Sequence, residues 1–470
     1  MTSIAGLFGL EQPTEKAVRI VRILAFIVQV FTIANMISVS FWMIFIAETL
    51  GGGDYFAGLA LVGVLVVIQL VIQTLVDYPT GALGDHIGQR WVLASAMICF
   101  AAALWLTSVA TPESPFILFL GIYALLGVAN SQQSGSWLSW FDNNYRVAMP
   151  SDEDRKQYGV LWGRMNTLIE LIGTLVLVPG ALLALVFSRT WVFQLQAVIF
   201  VMFAFIILVL VRDLPEVEES RRERRSRAGY RTILVEGLRF LISDRFVLLL
   251  TLGGVIMGAS MVLYFQIIWY PLLYTYLLTE VAVASWITIY FLTSVVAQER
   301  SGVWSRRFDP VKWIPRFRLL AGLGFVEYVF LGVLFHFFPA PTDTGNIVQL
   351  LIPFTDVTII EMPAESIVPM VLVLVFFAFT NFTTYFANIL TQRVMIDVIP
   401  TRIRNSMYSL SPTLTMVAAI PLVLVFGLIL PATGFSVTFL LLSLISLLAY
   451  FLIRQGFSYP IKRAADIESE

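Results

Sequence analysis

Residues 55–77 read YFAGLALVGVLVVIQLVIQTLVD, from Tyr55 to Asp77, with one charge at the very end. A helix needs roughly 20 apolar residues to cross a bilayer, and this stretch has that length without a proline or a turn cluster. A membrane β-strand would alternate polar and apolar residues over about ten positions; here the apolar residues run on unbroken. The stretch reads as one membrane-spanning α-helix. Its polar residues are ordered as well, since Gln69, Gln73 and Asp77 recur every fourth position and share one helix face.

The same pattern recurs along the chain. Twelve runs stand at about 20–48, 55–77, 91–110, 115–140, 159–187, 191–211, 246–274, 281–298, 317–338, 367–392, 407–430 and 435–454. Composition agrees: of 470 residues, 58% are hydrophobic and only 13% charged, against roughly 25% charged in a soluble domain. Such a chain cannot solvate the surface of a water-soluble fold. The expectation is an all-α membrane protein of twelve transmembrane helices, with the lipid bilayer as its surroundings. The first run follows Lys16 and Arg19 and is too long for a cleavable signal peptide, so it is expected to be retained.

Composition also excludes function classes. A net charge of -1 rules out a bulk electrostatic nucleic-acid binder. One cysteine, Cys99, and two histidines leave no disulfide framework and no multi-thiolate metal site. No nucleophile constellation and no phosphate-binding loop is present, so neither an enzyme nor direct ATP drive is expected, and no cofactor or metal.

Lys and Arg mark the cytoplasmic side. With twelve spans, the even-numbered connections and both termini hold every basic residue except Arg189. That alternation supports a multi-pass protein of the inner (cytoplasmic) membrane with both termini in the cytoplasm. The opposite face holds Glu48, Asp54, Glu113, Glu280, Asp343, Asp356, Glu361 and Glu365, which plain topology enforcement explains.

The strongest shift in composition lies at 212–245. It contains Glu216, Glu218, Glu219, Arg221, Arg222, Glu223, Arg224 and Arg225, a run that reads as a solvated linker. Ile233, Leu234, Leu238 and Leu241 follow at helical spacing, as in an amphipathic helix lying on the membrane surface. The expected organisation is an N-terminal six-helix half at 1–211, the linker at 212–245 and a C-terminal half at 246–470. The connection at 339–366, with Pro339, Pro341 and Pro363, suits a lid or a tolerated excursion.

Between the second and third runs stand Gly81, Leu83, Asp85, Gly88 and Arg90. They resemble the signature G-x-L-x-D-R-x-G-R-R of the major facilitator superfamily, found in that same loop. His86 and Trp91 replace the usual basic residues. The resemblance implies a cytoplasmic gate in which Arg90 pairs with an acid at the end of helix 4, where Asp142 stands. Glu236 to Leu241 looks like the segment before helix 7 in macrolide and multidrug efflux members, and Gly302 to Phe308 echoes the first motif. The resemblance implies a monomeric secondary transporter of a small-molecule substrate, working by alternating access. Proton-coupled efflux is the main expectation. An uptake facilitator or symporter of the same fold is the alternative, and a transport-inactive sensor or scaffold is the reading from another class. Two departures weaken the antiporter likeness: no Arg lies between Pro115 and Trp140, and the helix 5 motif G-P-x-x-G-G is absent.

Two carboxylates fall inside runs. Glu170 lies near mid-membrane and shares a face with Asn166 and Gly173; Glu327 lies at similar depth in the ninth run. An ionisable group there is costly and is a functional candidate by default. Desolvation favours its protonated form, which suits reversible proton uptake. Both are proton-coupling candidates, Glu170 ahead, because helix 9 is peripheral in the superfamily. For the substrate cavity the candidates are Asn35, Gln69, Gln73, Asn130, Gln133, Tyr264, Gln266, Asn381, Tyr385 and Asn388, most of them on helices 1, 4, 7 and 10, which line the cavity in that superfamily. Tyr264, Trp269, Trp286 and Tyr385 suggest an aromatic pocket for an organic substrate.

Overall fold

The computed structural model describes residues 4–152, 155–224, 239–304, 307–341, 345–352, 354–355, 357–399 and 404–462. Among these, eleven helices are long and apolar enough to cross a membrane. The chain divides into two compact units: Met1–Gly53 with Ile68–Arg227, and Asp54–Val67 with Ala228–Glu470.

In the first unit, α1 (Glu15–Met36) starts where the Thr14 hydroxyl accepts the Ala17 N–H at 3.1 Å, satisfying one orphan donor of the first turn. It is followed by α2 (Trp42–Leu50), α3 (Tyr55–Ile87), whose first turns belong to the other unit, and α4 (Gln89–Ser108). Next come α5 (Phe116–Ser134), α6 (Ser136–Ala148), α7 (Lys156–Val186) and α8 (Arg189–Leu210). The α4–α8 contact is aromatic, with Phe100 stacked on Phe200 at 5.2 Å. Helices α1 and α7 meet at Gly180, where a Cβ would lie 1.9 Å from the Ile37 carbonyl oxygen. Only glycine lets the two backbones come that close.

Part of the charged run, expected as a solvated linker, is helical. Pro215–Arg224 forms a helix, α9, with Glu216 and Glu218 in its first turn. Proline suits a first helical position because its missing N–H is an orphan there anyway, and acids complement the positive helix end. Asn144 on α6 anchors the segment by donating to Asp213 (2.9 Å) and accepting from the Leu214 N–H (2.7 Å), and Lys16 pairs with Glu216. The amphipathic reading of Ile233, Leu234 and Leu238 lies outside the described residues; Leu241 is buried in the core of the second unit.

The second unit runs through α10 (Arg245–Leu263), a π turn (Tyr264–Ile268), α11 (Trp269–Tyr276), α12 (Glu280–Trp304), α13 (Pro310–Leu320) and α14 (Phe325–Phe337). Strands β1 (Ile347–Leu351) and β2 (Thr358–Pro363) follow, then α15 (Ile367–Val398) and α16 (Arg404–Gly456). The strands form an antiparallel hairpin with Ile347 opposite Pro363, and β2 is tied down by the Leu278 N–H on the Glu361 carbonyl at 3.2 Å. The connection at 339–366, expected as a lid or an excursion, thus contains a two-stranded hairpin, which departs from the all-α expectation for the fold. Ile347, Val348, Thr358, Ile359 and Ile360 are β-branched and favour a pleated surface.

Helix α16 holds 53 residues, with Gly434 inside it at φ 75° and ψ -179°, where two helices join across a kink. Its apolar stretch, Leu410–Gly456, is 47 residues, or about 70 Å at 1.5 Å per residue. That is more than twice the ~30 Å of a hydrocarbon core. The kink falls between the runs expected at 407–430 and 435–454.

Candidate functional site

In each unit the first long helix loses its regularity after about 20 residues. Helix α1 ends after 22 residues at Met36, and residues 37–41 turn before α2 resumes. Helix α10 runs 19 residues before the π turn, in which the Trp269 N–H reaches back five residues to Tyr264 O. Irregular backbone at membrane depth persists only where protein or a water-filled cavity satisfies it. Interruptions in corresponding helices of two repeats are a pointer to a transporter's binding site.

The first break is served by neighbours. Gln196 on α8 donates to the Ala34 carbonyl at 2.7 Å, Gly180 admits Ile37, and Ser38 and Ser40 are buried. Asn35 lies here, half-buried, and among the described residues the buried Ser40 hydroxyl has no hydrogen-bond partner. Gln69 is buried where α3 meets α5, with Gly127 against its carbonyl. Gln73, Asn130 and Gln133 are half-buried, and Asp77 accepts from Ser134 at 3.2 Å. The helix 2 and helix 4 polar residues of the sequence therefore do meet. Glu170 is half-buried on α7, while Asn166 is exposed and Gly173 packs on Thr32 of α1.

In the second unit, the π turn carries Tyr264, buried, and Gln266, half-buried. Tyr264, Trp269 and Trp286 come together, but with Tyr290 and Phe377 rather than Tyr385. Trp269 stacks on Phe377 at 5.8 Å and lies 5.5 Å from Trp286. Tyr264, Trp269 and Trp286 are 1%, 1% and 3% exposed, so the expected pocket is a filled aromatic core. Asn381 borders it, donating to Ser294 at 2.9 Å and accepting from Tyr290 at 3.4 Å. Tyr385 is half-buried and Asn388 exposed on the same helix, α15.

The most developed polar site surrounds Glu327. Residues 321–324 break the ninth run between α13 and α14, with Leu323 at φ 56°. Several of the freed backbone groups have side-chain partners. The Gly322 N–H donates to Thr384 Oγ1 at 2.6 Å, the Leu323 N–H to Glu327 Oε1 at 3.0 Å, and Thr383 Oγ1 lies 2.7 Å from the Leu320 carbonyl. Thr380 Oγ1 is 2.5 Å from Glu327 Oε2. Glu327 is 1% exposed. Sequence reasoning named Glu327 but not Thr380, Thr383 or Gly322. The available signal was two glycines, Gly322 and Gly324, within three positions of an apolar run.

At the gate motif, Gly88 takes φ 101° at the start of α4, a left-handed conformation that suits glycine. Gly81 and Asp85 lie in α3, with their side chains outside the described residues. Arg90 lies over Trp91 at 5.3 Å. Asp142 pairs with Arg146 at 3.1 Å and with Arg155, not with Arg90. Beside it, Tyr145 donates to Asp152 at 2.8 Å, and Asp152 accepts the N–H groups of Gln157 and Tyr158 that open α7. Burial pushes the Asp152 carboxyl up, but these hydrogen bonds outweigh it and hold it below the usual carboxylate range. Tyr145, Asp152 and Arg155 were not legible as a group, because their pairing depends on how the chain turns between α6 and α7.

A search of curated proteins finds no match. Among solved structures, the nucleoside transporter NupG superposes with a TM-score of 0.63 at 13% identity, covering 94% of this chain and 99% of the other. The D-xylose-proton symporter superposes at 0.64 and 13% identity, covering 94% and 98%. These likenesses concern the fold. The sequence model of the Major Facilitator Superfamily matches residues 25–355. Taken with the interrupted helices and the polar groups at membrane depth, that match places this chain in the Major Facilitator Superfamily.

Proposed function

We propose that this protein is a proton-coupled uptake transporter, a symporter of a small, uncharged, polar organic solute, working by alternating access. Family membership makes it a membrane transporter rather than an enzyme. The observation that carries the finer reading is the matched irregularity of α1 and α10, each flanked by hydrogen-bonding side chains without charge. Asn35, Gln69, Gln73, Asn130, Gln133, Gln266, Asn381 and Asn388 are amides, which suit hydroxyl and carbonyl groups of a neutral solute. The structural neighbours, a nucleoside transporter and a sugar–proton symporter, favour uptake over the efflux expected from the sequence. Twelve crossings belong to this reading, with the kink at Gly434 dividing the last long helix, halves at 1–211 and 246–470 joined by 212–245, and both termini cytoplasmic. An intramembrane carboxyl, Glu170 or Glu327, takes up the proton. Gly81, Asp85, Gly88, Arg90 and Asp142 form the cytoplasmic gate region.

The test is uptake of radiolabelled nucleosides and pentoses into proteoliposomes, with and without an inward proton gradient. Gradient-dependent accumulation of at least one solute is expected. Solute movement that is insensitive to the gradient, or none at all, refutes the reading.

A further inference from the structure

We propose that the proton of the transport cycle is held at the break between α13 and α14, on Glu327, with Thr380 as a hydroxyl switch that satisfies the carboxyl group in both charge states. The coupling role rests on the symport reading above; the binding of the proton does not.

The geometry carries the argument. Both Glu327 oxygens face hydrogen donors: the Leu323 N–H at 3.0 Å and the Thr380 hydroxyl at 2.5 Å. Among the described residues no ion pair involves Glu327, although it is 1% exposed. A buried charge without a counter-ion is costly, and the group can remove that cost by taking a proton.

Thr380 has one hydrogen and two acceptors in reach, Glu327 Oε2 at 2.5 Å and the Phe377 carbonyl at 3.2 Å. It cannot donate to both. When Glu327 is ionised, the hydroxyl donates to it. When Glu327 is protonated, its own O–H donates to Thr380 Oγ1, whose hydrogen turns to Phe377 O. Neither state orphans a group, and no heavy atom has to move. The site accepts and releases a proton without unfolding its frame.

A metal cation fits this donor set poorly. Hard cations want about six oxygen ligands, while both carboxylate oxygens here meet hydrogen donors and Thr384 Oγ1 accepts the Gly322 N–H. The titratable groups within electrostatic reach are phenols: Tyr328 on α14, Tyr264 in the π turn and Tyr290 on α12. From α15 the group faces threonines, and Arg318 on α13 is engaged with Thr391 at 3.1 Å. Phenols do not ionise near neutral pH in water, so proton uptake in that range belongs to the carboxyl group.

Charge at this position also acts on the backbone. Gly324 caps α14, and Glu327 is its third residue. An anion in the first turn stabilises a helix start, and neutralising it removes that support. Proton occupancy thereby biases the break itself, linking the proton to a place where the helix can bend.

The experiment reads the proton and the flux separately. Difference infrared spectroscopy of the protein in lipid, titrated with pH, reports carboxylic-acid C=O absorption. A pH-dependent band is expected that is lost in E327Q, which keeps both hydrogen bonds and so the fold, as checked by circular dichroism. T380V should raise the pH of half-protonation, a several-fold change in proton concentration, since the hydrogen bond lost from the ionised carboxylate is stronger than the one lost from the acid. In proteoliposomes, E327Q should lose gradient-driven accumulation while counterflow survives. A band that persists in E327Q but disappears in E170Q overturns the proposal, as does a T380V midpoint equal to wild type. If no solute in the panel moves, the symport reading fails while the infrared titration still decides where the proton binds.

Discussion

Replacing Glu327 by leucine tests whether this side chain holds the helix break together. The glutamate accepts the Leu323 N–H at 3.0 Å and the Thr380 hydroxyl at 2.5 Å. With leucine, Thr380 can turn to Phe377 O at 3.2 Å, but the Leu323 N–H loses its partner in a buried setting. An orphaned buried donor costs about 1–3 kcal/mol. Glutamine keeps the account level: its carbonyl oxygen accepts from Leu323, and its NH2 donates to Thr380. The expected order is wild type and E327Q within about 0.5 kcal/mol, with E327L about 1–3 kcal/mol less stable. Equilibrium unfolding in mixed micelles, followed by tryptophan fluorescence, measures it. Equal stability of E327L and wild type would show that the carboxyl is no part of the scaffold. A loss in E327Q as large as in E327L would show that the hydrogen bonds are not what matters.

Three further outcomes follow from particular contacts. G180A places a Cβ 1.9 Å from a backbone carbonyl that cannot rotate away, so the helices must separate at a cost of about 1–3 kcal/mol; size-exclusion chromatography should show poorly folded protein, whereas G163A, with nothing within 4 Å, should elute normally. For Asp152, whose carboxyl lies below the usual range, the stabilisation is complete above about pH 4 and disappears as pH falls through the lower folded value; D152N should flatten the loss of thermal stability on acidification in that window. Arg189 pairs with Glu48, both partly exposed, so a double-mutant cycle with R189A and E48A should return a coupling of no more than about 1 kcal/mol that shrinks with salt.

Much of the scaffold could be read from order along the chain. The run at 55–77 reappears at the start of α3, and the interval between the last two runs coincides with Gly434. The site was less accessible. The shared face of Gln69, Gln73 and Asp77 could be read from spacing, because a helix repeats every 3.6 residues whatever surrounds it. The filling of the expected aromatic pocket by Tyr290 and Phe377 could not, since Trp269 and Phe377 are more than a hundred positions apart. Nor could the partners of Asp142, which depend on the left-handed turn at Arg155. The hairpin at 347–363 was hidden for another reason: a search for long apolar helices passes over short β-branched segments.

The division between the two levels has a physical basis. Transfer of a segment into lipid is a sum of local terms, so composition and run length alone established a helical membrane protein with few charges inside it. An interrupted helix is different. Its loose N–H and C=O groups must be satisfied within the membrane, and for residues 320–323 the partners include Thr383 and Thr384, about sixty positions away. The linear chain shows Gly322, Gly324 and Glu327 as neighbours in an apolar run. Only the packing of α15 against the break turns them into a built polar site.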